Sequence, residues 1–152
     1  LGSLTTASEY GFATGQNSRA TGEGSSALGL YSFASGRGAF VAGNSSEASG
    51  DYSVAFGNGN MAQGMYSFAT GSGSGAIGYG SIAMGSGGES WAVGNHSVLI
   101  GTNLYADALS VTVIGRLNVP QGNPSAWVPT DDLFVVGNGS DTTWVASNAL
   151  VV

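Results

Sequence analysis

Small residues stand at every second position along most of this chain, and larger side chains fall between them. The unit is Ser-x-Ala-x-Gly followed by two turn residues, repeated without a slip from Gly11 to Gly85. Glycine closes every unit, from Gly15, Gly22 and Gly29 onward to Gly85; two residues earlier stands alanine, with Val41 the one exception. The first slot holds Ser18, Ser25, Ser32, Ser46, Ser53, Ser67, Ser74 and Ser81, with Gly11, Ala39 and Asn60 in the other three. Period two places these residues on one face of a strand. A helix is excluded, because each interior glycine costs it about 1 kcal/mol relative to alanine. Short strands joined by two-residue turns predict a coiling chain with tiny inward side chains and close walls.

The residues between the small ones have a second period, of fourteen. Alternate units present Phe12/Thr14, Ser26/Leu28, Phe40/Ala42, Val54/Phe56, Phe68/Thr70 and Ile82/Met84, nine apolar residues of twelve. The intervening units present Arg19/Thr21, Phe33/Ser35, Glu47/Ser49, Met61/Gln63 and Gly75/Ile77, of which only Phe33, Met61 and Ile77 are large and apolar. One coil is therefore two strands, one greasy on its outer face and one mostly wet. Full burial of one large apolar side chain is worth about 1.5–3 kcal/mol, and a core of Ala, Ser and Gly returns little. The stripe Phe12, Leu28, Phe40, Val54, Phe56, Phe68, Ile82 and Met84 is accordingly expected to be an interface between copies of the chain. Periodicity alone leaves the number of copies open.

Ser53-Val54-Ala55-Phe56-Gly57, Ser81-Ile82-Ala83-Met84-Gly85 and Ser90-Trp91-Ala92-Val93-Gly94 closely resemble the head repeats of trimeric autotransporter adhesins of the YadA type. The likeness covers roughly residues 8–101. It implies an all-β, left-handed parallel β-roll of about fourteen residues and two strands per coil, assembled as a homotrimer. It also implies a surface-exposed, extracellular role in attachment.

Three segments are expected: regular half-coils over residues 1–88, widened capping coils over 89–116, and a Pro-containing loop with a C-terminal β-hairpin and strand over 117–152. At the start, Leu4, Thr6 and Ser8 fit the inward slots of an incomplete opening coil. After Gly85 four residues, Ser86-Gly87-Gly88-Glu89, replace the usual two, and the inward slots enlarge to Leu99, Leu104, Val111 and Val113, as a cap requires. Pro120, Pro124 and Pro129 mark a connecting loop. Leu133–Gly137, the turn Asn138–Asp141 and Thr143–Val145 read as a hairpin, with Asn148–Val152 beginning another strand. This last stretch resembles segments that follow such heads in bacterial surface and phage tail-fibre proteins.

The turns are rich in Gly, Asn, Asp and Ser, as tight turns require, and tyrosine is the exception. Tyr10, Tyr52 and Tyr66 share one corner, with Tyr52 and Tyr66 on successive coils about 4.8 Å apart. This reads as a stacked structural ladder; the sharper alternative is an aromatic strip that holds a glycan or an extended protein ligand.

Charge narrows the partners. The 152 residues carry three arginines, no lysine and a net charge of −6, which argues against nucleic acid, polyanions or anionic membrane. Cysteine is absent, so no disulfide framework exists. No long apolar run suits insertion into a membrane, so any anchor is expected outside this chain. Gly73-Ser74-Gly75-Ala76-Ile77-Gly78 matches a dinucleotide fingerprint by letter, but the repeat accounts for each glycine and no helix follows. His96, the single histidine, is expected to be an exposed turn residue. Asp131, Asp132 and Asp141 offer oxygen ligands of the calcium type, with solvated loop acids as the default. Asn44-Ser45-Ser46, Asn95-His96-Ser97 and Asn138-Gly139-Ser140 are sequons by letter in a Ser/Asn-rich repeat. Paired acids across a groove and an unbroken threonine ladder are both missing. No catalytic residue, cofactor or metal is therefore expected. The sequence points to a non-enzymatic, adhesive head segment of a trimeric fibre with a host surface protein or glycan as partner. A spacer or receptor-binding segment of a phage tail fibre is the alternative.

Overall fold

The computed structural model describes residues 5–140 and 143–152. Two parallel sheets alternate along the chain. The wide sheet takes the greasy units: β2 (Phe12–Thr14), β4 (Ser26–Leu30), β6 (Phe40–Asn44), β8 (Val54–Asn58) and β10 (Phe68–Ser72). It continues through β12 (Ile82–Ser86), β14 (Val98–Thr102), β16 (Thr112–Arg116), β17 (Phe134–Asn138) and β18 (Asn148–Val151). The narrow sheet takes the intervening units: β1 (Thr6–Ala7), β3 (Arg19–Ala20), β5 (Phe33–Ala34), β7 (Glu47–Ala48), β9 (Met61–Ala62), β11 (Ser74–Ala76), β13 (Ser90–Ala92) and β15 (Tyr105–Ala106). Register partners such as Val54 and Phe68 stand fourteen residues apart. The chain is a parallel β-solenoid.

The inward alanines from Ala20 to Ala92 are fully buried, as are most inward serines. Several of these serines use the hydroxyl to satisfy a carbonyl inside the roll, whereas Ser67, Ser74, Ser81 and Ser97 are buried with Oγ unpartnered. Ser18 Oγ donates to Gly29 O at 2.6 Å, Ser32 Oγ to Gly43 O at 3.0 Å and Ser46 Oγ to Gly57 O at 3.1 Å, each reaching the next coil. Asn60 does the same with its amide, reaching Gly71 O at 2.9 Å. The glycines answer a tighter constraint than close walls. A Cβ on Gly36 would collide with the carbonyl of Gly50 one coil further on, and the same clash recurs from coil to coil. In the wide sheet most of the glycines also take positive φ, Gly57 at 109° and Gly71 at 116° among them, whereas Gly85 and Gly137 do not, and such φ favours glycine again.

At the corner that leads from the narrow sheet to the wide one, Ser25 N–H and Oγ both bond Gly22 O, at 3.1 and 2.7 Å. The repeat Gly-x-x-Ser is thus a closed β-turn, and this turn shortens most narrow-sheet strands to two residues.

Three places depart from the sequence expectation. In the opening coil Thr6 pairs with Arg19 and Ala7 with Ala20, a spacing of thirteen. The alternation therefore slips by one residue, and Thr6 points outward instead of inward; Leu4 lies outside the described residues. In the coil after Gly85 the two extra residues are absorbed at the turn, since Ile82 pairs with Val98 in unbroken register. Near the end, β17 joins β16 in parallel, Thr112 opposite Phe134, so the proline loop is an insertion into one more coil. The hairpin is formed by β17 and β18, Val136 opposite Leu150. Thr143–Val145 contributes only the isolated Ser140–Val145 bridge, and Asp141 lies outside the described residues. Leu99, Leu104, Val111, Val113 and Val135 fill the wider interior of these last coils.

The end of the narrow sheet is closed by a side chain. Asn118 Oδ1 accepts from Tyr105 N–H and its Nδ2 donates to Tyr105 O, both at 2.8 Å. The amide thereby acts as one residue of a missing strand and blunts the edge.

Candidate functional site

Strand register builds one continuous surface on the outer face of the wide sheet. Phe12, Phe40, Val54, Phe68 and Ile82 lie along one row, and Leu28, Phe56 and Met84 along the next. The rows interlock: the Phe40 and Phe56 rings are 5.4 Å apart and Phe56 and Phe68 6.1 Å apart, both tilted. These side chains stay partly open to solvent on the protomer, with Phe12 58%, Phe56 38% and Met84 44% exposed. All eight residues predicted for the stripe are therefore brought together.

The surface extends further than the repeat suggested. Val98 and Ile100 continue the two rows on β14, Ile114 follows on β16, and Phe134 and Val136 on β17. Leu150, opposite Val136, carries it onto β18. Near its middle Thr70, Met84 and Ile100 line a shallow open groove over the row Gly71, Gly85 and Gly101. The signal in the sequence was the recurrence of Gly101, Gly115 and Gly137, each after a pair of apolar residues; the two inserted residues and the proline loop obscured it.

A second feature is the aromatic corner. Tyr52 and Tyr66 stack with centroids 5.5 Å apart and planes 7° from parallel, an offset stack. Arg37 covers the outer face of Tyr52 at 5.2 Å and pairs with Asp51 at 3.5 Å. Tyr79 meets Tyr66 edge-on at 5.7 Å, and His96 meets Tyr79 at 5.2 Å. Tyr10 does not join them. Gly24 and Gly38 occupy the levels between, leaving it alone and 79% exposed.

Tyr52 and Tyr66 have φ of 56° and 59°, a region that costs a bulky residue about 1–2 kcal/mol. The stack returns about 0.5–1.5 kcal/mol, so the ladder offsets only part of its own strain. Gly38 makes room for it, since a Cβ there would sit 2.8 Å from Tyr52 Cδ1. Sequence spacing found Tyr52 and Tyr66 but missed Arg37 and Tyr79, which sit in the first turn slot and reach the ladder through side-chain length, and His96, which holds the same second slot as the two tyrosines beyond the gap at Gly80.

The acids do not assemble a metal centre: among the described residues no cluster of three or more His, Cys, Asp or Glu exists. Asp131 Oδ2 accepts from Asn123 N–H at 3.1 Å, which binds it to the proline loop. Asp132 is buried with Oδ2 unpartnered; burial, then the neighbouring Asp131 charge, pushes its pKa up. No helix of the described residues is long and apolar enough to cross a membrane.

Residues 8–32, 34–60, 48–74 and 62–87 match the YadA head domain repeat, a family unit of two copies. The matched segments span more than half of the chain and coincide with the regular coils. The chain belongs to the YadA head family. YadA heads are adhesin modules and trimeric in general, and the family is typically structural rather than enzymatic. Membership implies an extracellular, surface-exposed protein. The match ends at residue 87, so the likeness of the C-terminal stretch to tail-fibre proteins rests on the sequence alone. Comparison with curated proteins returns no match.

Proposed function

We propose that this YadA head chain is the non-enzymatic head segment of a trimeric extracellular fibre. It would attach to host or other cell surfaces through weak contacts multiplied by three copies. The observation that carries the reading is the apolar outer face of the wide sheet, which runs over almost every strand and lies partly open on the protomer. Phe12, Leu28, Phe40, Val54, Phe56, Phe68, Ile82 and Met84 are the proposed interface, with Val98, Ile100, Ile114, Phe134 and Val136 as its continuation. Membrane anchorage would come from parts outside this chain.

Of the two roles read for the corner tyrosines, the mutual stacking of Tyr52 and Tyr66 supports the structural ladder. A phage tail-fibre segment is the second reading, favoured by β17 and β18, which lie beyond the family match. The sequence following Val152 separates the two: a coiled coil with a membrane barrel supports the adhesin, and a chaperone domain supports the fibre.

Attachment is tested by presenting the purified head to cultured cells and immobilised matrix proteins. The expected result is saturable binding that weakens when the head is made monomeric. Absence of binding to every cell type and matrix protein would refute the adhesive role.

A further inference from the structure

The outer face of the narrow sheet points away from the proposed trimer contact, so it stays accessible whether or not copies assemble. Near its end Trp91 stands between Gly75 on β11 and Tyr105 on β15, each its register partner. The indole occupies the place that a side chain at position 75 would fill: a Cβ on Gly75 would collide with its Cε3 and Cζ3. Met61, the partner of Gly75 on the far side, completes an apolar shelf. The indole is thus seated on backbone and held between neighbours, a fixed flat surface on a rigid sheet.

Two acidic residues flank this shelf along its strands, Glu89 two residues before Trp91 and Asp107 two residues after Tyr105. Glu89 is exposed and Asp107 half-buried, and both lie near enough to Tyr105 to act on its hydroxyl, whose pKa is raised first by burial and then by these two charges. Burial also raises the pKa of Asp107. Among the described residues, no hydrogen bond or ion pair engages the Trp91 Nε1–H, the Tyr105 hydroxyl or either carboxylate. An aromatic plane rimmed by unengaged acceptors and donors matches one ligand chemistry well. A pyranose ring offers a C–H face to the plane and hydroxyls to the rim.

We propose that Trp91, Tyr105, Glu89 and Asp107 form a binding site for a neutral pyranose glycan. The sugar lies with its apolar face on the indole, and its hydroxyls donate to the two carboxylates. Anionic sugars are disfavoured, because both carboxylates and the net charge of −6 repel them. The assignment rests on the adhesive reading and names its ligand class.

The test is a printed array of neutral galactose-, glucose-, mannose- and N-acetylhexosamine-terminated oligosaccharides, with sialylated and sulfated glycans alongside, probed with the whole chain. Wild type should bind at least one neutral class and none of the anionic ones. Trp91→Ala should abolish that binding. Because it also empties the space over Gly75, the paired variant Glu89→Gln/Asp107→Asn serves as the second probe. It should leave the melting temperature at neutral pH no lower than wild type, since burial disfavours the Asp107 carboxylate, and weaken binding about tenfold or more, as expected when hydrogen bonds to charged acceptors are lost. No neutral glycan bound, preferential binding of anionic glycans, or full binding by both variants would overturn the site. Array binding that survives Trp91→Ala would sink this site and leave the adhesive role intact, whereas heads that bind the array through Trp91 but attach to no cell would sink the adhesive role and leave the site.

Discussion

At the scale of single residues, two separate reasons require glycine, and they predict different costs. Gly36 has an ordinary φ but no room, since its Cβ would meet the Gly50 carbonyl. Gly59 has room on every side but a φ of 65°. Gly59→Ala should therefore cost about 1–2 kcal/mol in chemical denaturation. Gly36→Ala should cost more, because backbone on the neighbouring coil has to move. The inward serines divide in the same way. Ser25 Oγ is bonded to Gly22 O, whereas Ser81 Oγ is buried with no partner. Ser25→Ala should lose about 1 kcal/mol and Ser81→Ala should be neutral or stabilising by the same measurement. The small-residue slots were fully legible in the sequence. Their cause was not, because the constraint is contact between successive coils, and nothing in a linear repeat reports which carbonyl faces which Cα.

Elements were legible wherever the period held. Strand alternation from Phe12 to Met84 gave the two sheets and their faces directly. It failed at Thr6, where one missing residue flips the face, and at Phe134, where a long loop separates a strand from the coil it completes. It also gave no hint of Asn118, whose amide ends the narrow sheet. Asn118→Ala should leave the Tyr105 amide without its acceptor, and hydrogen exchange there should quicken while amides in β8 and β10 keep their protection. The proline loop carries a pH-dependent element. Asp132 has its folded pKa raised above the unfolded value. The native state then binds the proton more tightly, so this group favours folding below the ordinary carboxylate range, and that contribution is lost as pH rises through the raised pKa. Asp132→Asn should therefore raise the melting temperature at neutral pH and change it little in acid. An equal gain at both pH values would contradict the desolvated-acid account.

Over the whole molecule, the protomer has an inside of alanine and serine and an outside of phenylalanine, isoleucine and methionine, an inversion that the proposed contact between copies would resolve. That inversion is legible in the fourteen-residue period of the sequence itself. The sequence hid how far the surface runs, and it hid the Trp91 shelf, because Trp91 follows the phase break and shows its role only beside Gly75.

The most direct test is the mass of the purified chain by sedimentation equilibrium, for wild type and for Phe56→Asp/Phe68→Asp. The account predicts three times the 15.0 kDa of one chain for wild type, and a monomer or unfolded chain for the variant. A wild-type chain that sediments as a folded monomer, or a variant that keeps the trimer mass, would contradict it.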